Sequence, residues 1–298
     1  LRSWVGASAG DVVIRLAAQV LSTIVIARIL SAEEFGVASM ILASVAIVGA
    51  LVSLPFEEAL TQRQHLTTRH LESALFVSLG LTVGAVILAL VAGPVLGRMS
   101  GAPELAFWLP VSTLFLFGQG PGSIARAVAR RRRRFVDLAI GQSASVIVAS
   151  AIAIGAALAG AGVLALVLQR MLPVIIYPVI AGFVAWWRGR GCVIWPRWDR
   201  ARFGDIFRFS WLHLARVTVD YTSPAVLTFM TNAYFGTAVL GQLNVAMRLT
   251  EPLRSGIASV GHNLVLAFLV RLRSDRSQLA VRTLETVANF ASLAVPGF

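Results

Sequence analysis

Two acid–base pairs sit in apolar surroundings. Asp11 and Arg15 lie four residues apart inside WVGASAGDVVIRLAAQVLSTIVIARIL, and Arg216 and Asp220 lie four apart inside WLHLARVTVDYTSPAVLTFM, with the order of the signs exchanged. A spacing of four places both members on one helix face, close enough to pair. A charge at a bilayer centre costs about 2.5–3.5 kcal/mol on insertion scales, so an ionisable residue there faces a cavity or a partner. Arg170, Arg248, Glu251 and Arg254 occupy comparable runs, with Gln19, Gln169, His213 and Asn244 as polar companions. Base exceeds acid in this set. A cavity lined by arginine favours an anionic ligand, and the planar guanidinium fork matches phosphate oxygens. The candidate substrate-binding residues of such a cavity are therefore Arg15, Gln19, Arg170, Arg216, Arg248 and Arg254, and the candidate ion-coupling residues are Asp11, Asp220 and Glu251.

Each has a plainer reading. Asp11 and Arg15 can lie at the membrane interface with Arg15 snorkelling to the headgroups. Arg170 stands about two turns from a helix end, where cavity and interface weigh equally. Arg248, Glu251 and Arg254 share a helical face on which an internal ion pair explains them as well as a cavity does. Arg216 and Asp220 lie two and three turns into their segment, which favours a lumen.

The elements that carry these residues are apolar helices. The chain is 57% hydrophobic and 13% charged with a mean hydropathy of +0.79, against the roughly 25% charged residues of soluble domains. Several stretches reach the ~20 residues that span a bilayer. The pattern predicts eight complete spans, at about 5–30, 36–54, 74–96, 105–125, 138–158, 163–187, 209–234 and 240–270, with a ninth starting at 284. They are helices, because each exceeds the length of a barrel strand and a bilayer requires internally satisfied backbone groups. Ser31 followed by Glu34 is a capping box that starts the second helix, Pro103 suits the first turn of the fourth span, and Pro252 should kink the eighth. The first run is too long for a cleaved signal peptide and is followed at once by another. A chain that starts at Leu1 and stops at Phe298 within ANFASLAVPGF is expected to be a piece of a longer protein.

The net charge of +12 comes wholly from arginine. With the N-terminus in the cytoplasm, inside loops hold Arg63 and Arg69, Arg126 and Arg130 to Arg134, Arg188, Arg190, Arg197, Arg200 and Arg202, and Arg271, Arg273, Arg276 and Arg282; outside loops hold Arg98. That asymmetry fixes the expected orientation. It explains the basic balance better than nucleic acid does, and the run RRRRR at 130–134 reads as a stop-transfer anchor facing anionic lipid. Trp186, Trp187, Trp195 and Trp198 fit an interfacial aromatic belt. The absence of lysine excludes a P-loop and hence an ATP-hydrolysing motor within this stretch. One cysteine, Cys192, excludes an internal disulfide, and His65, His70, His213 and His262 lack metal-ligand spacing. No catalytic residue, metal or cofactor is expected.

A second copy of the first hairpin emerges on a shift of 205 residues. ILSAEEFG then aligns with YFGTAVLG, Gly36 falls on Gly241, Asp11 on Arg216 and Arg15 on Asp220. Repeated helix bundles are a common transporter design.

These residues resemble a family. ARILSAEEFGVASMILA resembles the first hairpin of polysaccharide biosynthesis membrane proteins, and EEALTQRQHLTTRHLESAL their second cytoplasmic segment. RRRRFVDLAIGQSASVIVASAIAIGAALAGAGVLALV resembles the fourth cytoplasmic loop and fifth span. FGDIFRFSWLHL, FGTAVLGQLNVAMRLTEPLR and the late LAVPGF resemble the start of a second bundle. The family comprises lipid-linked oligosaccharide flippases of the multidrug/oligosaccharidyl-lipid/polysaccharide exporter superfamily. The resemblance implies an all-α polytopic membrane protein with two six-helix bundles around a central cavity. Here the first bundle would be complete at 1–190, a cytoplasmic linker would occupy 191–205, and 206–298 would begin the second, pseudo-symmetric bundle. The implied activity is movement of a polyprenyl-diphosphate-linked O-antigen, capsule or exopolysaccharide unit across the bacterial inner membrane by alternating access, without ATP. The implied partners are that lipid-linked glycan, the bilayer, and glycosyltransferases or a polymerase of the same pathway. Basic cavity residues recur in such flippases, which supports Arg15, Arg216 and Arg248. The alternatives are a membrane polymerase or ligase of the same glycan pathway, a small-molecule antiporter of the same superfamily, and a structural membrane subunit. The short outer loops speak against the first, the basic excess against the second and the internal charges against the third.

Overall fold

The computed structural model describes residues 2–250, apart from 63–65, 133 and 188–193. The described residues are almost wholly helical. In chain order they form α1 (Arg2–Ile29), α2 (Ala32–Gln62), α3 (Thr68–Ser100), α4 (Leu105–Leu114), a 3-10 turn (Phe115–Gly118), α5 (Gln119–Arg131), α6 (Phe135–Leu158), α7 (Val163–Trp187) and α8 (Arg200–Phe235). A further helical stretch, α9, covers 237–250. Among the described residues there is no strand, and α2, α3, α6 and α7 each hold a segment long and apolar enough to cross a membrane. The protein is a multi-pass all-α membrane protein.

Helix α3 is built inside out relative to a helix of a soluble protein. Along α3, Ala74, Ser78, Thr82, Ala85, Ala89, Gly93 and Gly97 form the buried stripe, whereas Val83, Ile87, Leu88, Val91 and Val95 are exposed. Lipid chains are as apolar as leucine, so burying large side chains between helices gains little there, and small residues that let backbones approach take the contact face. Gly93 and Gly97 show the consequence: their Cα atoms lie against the backbone of Leu105, Ala106, Ala102 and Pro103, which folds α4 back along α3.

Successive helices reverse at short turns, which sorts the loops to two ends. The turns at 30–31, 101–104, 159–162 and 236 share one end; the segments after Gln62, Arg131 and Trp187 share the other, the arginine-rich end. The capping box forms as expected. The Ser31 backbone N–H donates to Glu34 Oε2 at 2.8 Å, and the Glu34 N–H donates to Ser31 Oγ at 3.2 Å. Trp186, Trp187, Trp195 and Trp198 are all exposed at the arginine-rich end. Trp198 meets Phe76 and Phe203 at ring separations of 5.9 and 5.2 Å.

One expectation changes. The fourth span is not one helix but α4 and α5 joined by the 3-10 turn. Gly118 passes so close to the Val174 carbonyl and Ile175 of α7 that a Cβ would collide, and Gly120 is pressed in the same way against Ser78 of α3. The turn swivels α5 into the space between those helices. The chain clusters into two compact units, Leu1–Ala246 and Met247–Phe298. Within the first, α8 packs along α2 and α3. Pro252 lies outside the described residues.

Replacement of Ser31 by alanine should lower unfolding stability in detergent by about 1 kcal/mol, the usual cost of losing an N-cap hydroxyl. Denaturant titration beside the wild type measures it, and an unchanged midpoint would mean that the box contributes nothing to holding the turn.

Candidate functional site

Three polar or close-packed assemblies mark the described residues, and they lie at three heights along the bundle. At the arginine-rich end, Glu57 of α2 is 5% exposed and receives two guanidinium groups from α5. Arg126 Nε donates to its Oε2 at 2.8 Å, and Arg130 Nη1 to its Oε1 at 2.9 Å. Residues 126 and 130 are one helical turn apart, so both reach the same carboxylate. Arg126 also lies over the Tyr177 ring of α7, 5.5 Å from its centroid, with Gly122 and Gly141 leaving room for the ring. One carboxylate against two guanidinium groups leaves this end with an excess of positive charge.

Nearer the turn end, Gln169 of α7 is buried against α1. Its Nε2 donates to Ser22 Oγ at 2.6 Å and to Thr23 Oγ1 at 3.2 Å. Those hydroxyls in turn donate to the Gln19 carbonyl, at 3.0 and 2.7 Å. Each hydroxyl is thereby both donor and acceptor, the condition for placing polar groups in an apolar interior without loss.

At the turn end the two copies of the repeat meet. A Cβ on Gly36 would collide with the Thr237 carbonyl oxygen, and a Cβ on Gly241 would collide with the Ala32 carbonyl oxygen. Under the 205-residue shift Ala32 corresponds to Thr237 and Gly36 to Gly241. Each glycine therefore rests on the counterpart of the other's neighbour. That reciprocity is the mark of a twofold contact, and it places a local pseudo-twofold axis between the starts of α2 and α9. The sign-exchanged repeat read from sequence thus has a physical contact at its best-aligned residue.

The candidate cavity residues are distributed as follows. Arg15 and Gln19 are half-buried on α1, one turn apart. Gln19 contributes its backbone carbonyl to the Gln169 knot. Arg170 is exposed on α7 although its neighbour Gln169 is buried. Asp220 is exposed on α8, and Arg248 is half-buried on α9. Asp11 and Arg216 belong to α1 and α8, but their side chains lie outside the described residues, as do Glu251 and Arg254 altogether. The main packing of α1 is on α6, and that of α8 is on α2 and α3, so the two helices with acid–base pairs have their principal contacts with other helices. Gln169, read as companion to a lumen, is a helix-to-helix tie.

In the sequence Arg126 and Arg130 read as loop charges, and nothing local singles out Glu57. The signal available is not local: arginines one turn apart in SIARAVARR and an acid after the apolar run LVSLPFEEAL are complementary. Their partnership spans 69 residues of chain, which no local pattern encodes. No three metal-binding side chains converge among the described residues.

Glu57→Gln leaves two guanidinium groups facing a neutral amide and should cost about 3–5 kcal/mol, as breaking a buried pair does. Arg130→Gln, whose side chain is 41% exposed, should cost about 1 kcal/mol or less. Detergent unfolding curves order the two, and equal losses would contradict the burial argument.

Residues 25–298 match the family model described as polysaccharide biosynthesis protein. A curated relative, the succinoglycan biosynthesis transport protein ExoT of Rhizobium meliloti (strain 1021), is 28% identical over 152 residues, covering 51% of this chain and 31% of that protein. A solved multidrug resistance transporter of the MATE family and MOP superfamily, in an inward-facing conformation, is similar in fold with a TM-score of 0.60 at 18% identity. That similarity covers 98% of this chain and 66% of the solved one. The chain therefore matches about a third of the curated relative and just under two thirds of the solved transporter. On the extent of the family match, this chain belongs to the polysaccharide biosynthesis protein family.

Proposed function

We propose that the protein to which this chain belongs is a flippase that moves a polyprenyl-diphosphate-linked oligosaccharide across the bacterial inner membrane, from the arginine-rich face to the turn face. The observation that carries this reading is the reciprocal contact of Gly36 and Gly241. Two repeated helix hairpins pressed together at one end, and related by a pseudo-twofold axis, are the arrangement that alternating access requires. The fold similarity to an inward-facing transporter and the family membership point the same way. The excess of arginine supports a cytoplasm at the opposite end from the turns, and on that orientation the contact of Gly36 and Gly241 closes the outer end.

In this mechanism the diphosphate enters at the arginine-rich end and pairs with cavity arginines. Arg15, Arg170 and Arg216 are the proposed contacts, and Gln19 adds a polar wall. The glycan occupies the polar lumen between bundles and the prenyl tail stays in lipid. Asp11 and Asp220 couple the cycle to an ion by exchanging arginine partners between the inward and outward states. Opening outward separates Gly36 from Thr237 and Gly241 from Ala32. No covalent chemistry is asked of the protein, which sets the reading apart from a polymerase or ligase.

The test is leaflet accessibility of a labelled polyprenyl-diphosphate sugar in liposomes carrying the full-length protein. Arg216→Ala should raise the half-saturating substrate concentration about 10–100-fold, the worth of one charge-assisted contact. Asp220→Asn should abolish dependence on the ion gradient. Failure of the wild type to move any lipid-linked glycan defeats the reading, and an Asp220→Asn variant with unaltered gradient dependence defeats its coupling step. Gly36→Val should prevent closure of the turn end and leave a cysteine introduced beside it permanently reactive to an impermeant thiol reagent; protection equal to wild type would remove Gly36 from the gate.

A further inference from the structure

A cavity of about 500 Å³ lies between α3, α5, α6 and α7, within the first compact unit and apart from the space between the repeats. Its size is within the ~300–1,000 Å³ of small-molecule sites. The inner part is apolar, with Leu71, Leu75, Ile124, Val128 and Ile180 among its walls and Tyr177 beside them. From Thr68 to Leu75 it runs along eight residues of α3, about 10 Å at the helical rise. At the arginine-rich end the lining changes to Arg132, Arg134 and Asp137. Arg132 is exposed and Arg134 half-buried, and neither side chain has an acidic partner among the described residues. Behind the wall, the ring of Tyr177 carries Arg126, one of two guanidinium groups that share Glu57.

A slot that is apolar within the membrane and basic at its interface fits an amphiphile with an anionic head. We propose that this cavity is a binding site for an anionic glycerophospholipid of the bilayer, with one acyl chain between α3, α5, α6 and α7 and its phosphate on Arg132 and Arg134. Charge complementarity selects the occupant. Zwitterionic lipid offers the same chain but brings its own cation to two arginines, and Asp137 on the rim discourages a headgroup with more than one negative charge. Basic pockets between helices at the cytoplasmic face hold such headgroups by point charge and hydrogen bonding. Because α5 bears the two arginines that hold Glu57 of α2, an occupied slot braces α5 against α3 and α6. Bound lipid would therefore stabilise the first bundle as a body that moves as one piece.

The full-length protein in neutral detergent is titrated with phosphatidylglycerol, and bound lipid is counted by native mass spectrometry alongside thermal unfolding. Phosphatidylglycerol should bind and raise the unfolding temperature. The double substitution Arg132→Gln, Arg134→Gln should weaken binding about 10–30-fold, whereas Arg98→Gln, at the other end, should leave it unchanged. Glycerol phosphate, the head without the chain, should not compete. Equal binding of phosphatidylcholine, insensitivity to the double substitution, or loss of binding with Arg98→Gln as well would overturn the proposal. Displacement of phosphatidylglycerol by a polyprenyl phosphate at equal concentration would overturn it too, by making the slot a substrate site. All these readouts are of lipid binding or of unfolding, so they stand or fall independently of glycan transport.

Discussion

The contact on which the architecture depends is the close approach of two backbones at the turn end. Gly36 and Gly241 let the start of α2 settle on the start of α9 with no side chain between them. Everything nearby is arranged to present those backbones. The Ser31–Glu34 box fixes where α2 begins, the positive φ of Gly236 turns the chain sharply into α9, and Leu240 is buried in the cluster formed by α2, α4 and α7. A larger residue at either glycine would hold the helices apart by roughly the width of a methyl group, and the reciprocal fit would be lost on both sides at once.

The bilayer imposes a second constraint: a polar group removed from water is stabilised when it finds its partner inside the protein. The Gln169 knot and the Glu57 cluster satisfy it differently. The first is neutral, small and saturated, and ties α1 to α7. The second is charged, partly open on its Arg130 side, and located near the end of the bundle where headgroups and water are within reach. Depth explains the difference, because the cost of a charge rises towards the bilayer centre and falls near its faces.

Much of the helical architecture was legible in the sequence. Runs of apolar residues mark where the helices lie, the Ser31–Glu34 box marks a start, and the alignment of Gly36 with Gly241 anticipates a contact across 205 residues. The helices extend past the apolar runs, as α2 does to Gln62 and α3 from Thr68. Hydropathy reports the thickness of the membrane and not the length of the helix, which continues into the polar interface wherever propensity and capping allow. The break at Phe115–Gly118 was not legible, since its cause is the proximity of Val174 and Ser78 on other helices.

By itself the sequence determined the class of protein, the places of its apolar helices and the gathering of arginine at one end, because each of these is written in local composition. Tertiary structure alone decided which polar residues pair: that Glu57 takes Arg126 and Arg130, that Gln169 closes on Ser22 and Thr23, and that Arg170 beside it stays exposed. The reason is geometric. Consecutive residues on a helix point about 100° apart, so which of two polar neighbours meets a partner depends on how the whole helix is rotated against the others. That rotation is set by the small-residue stripes and close glycine contacts of the packed bundle.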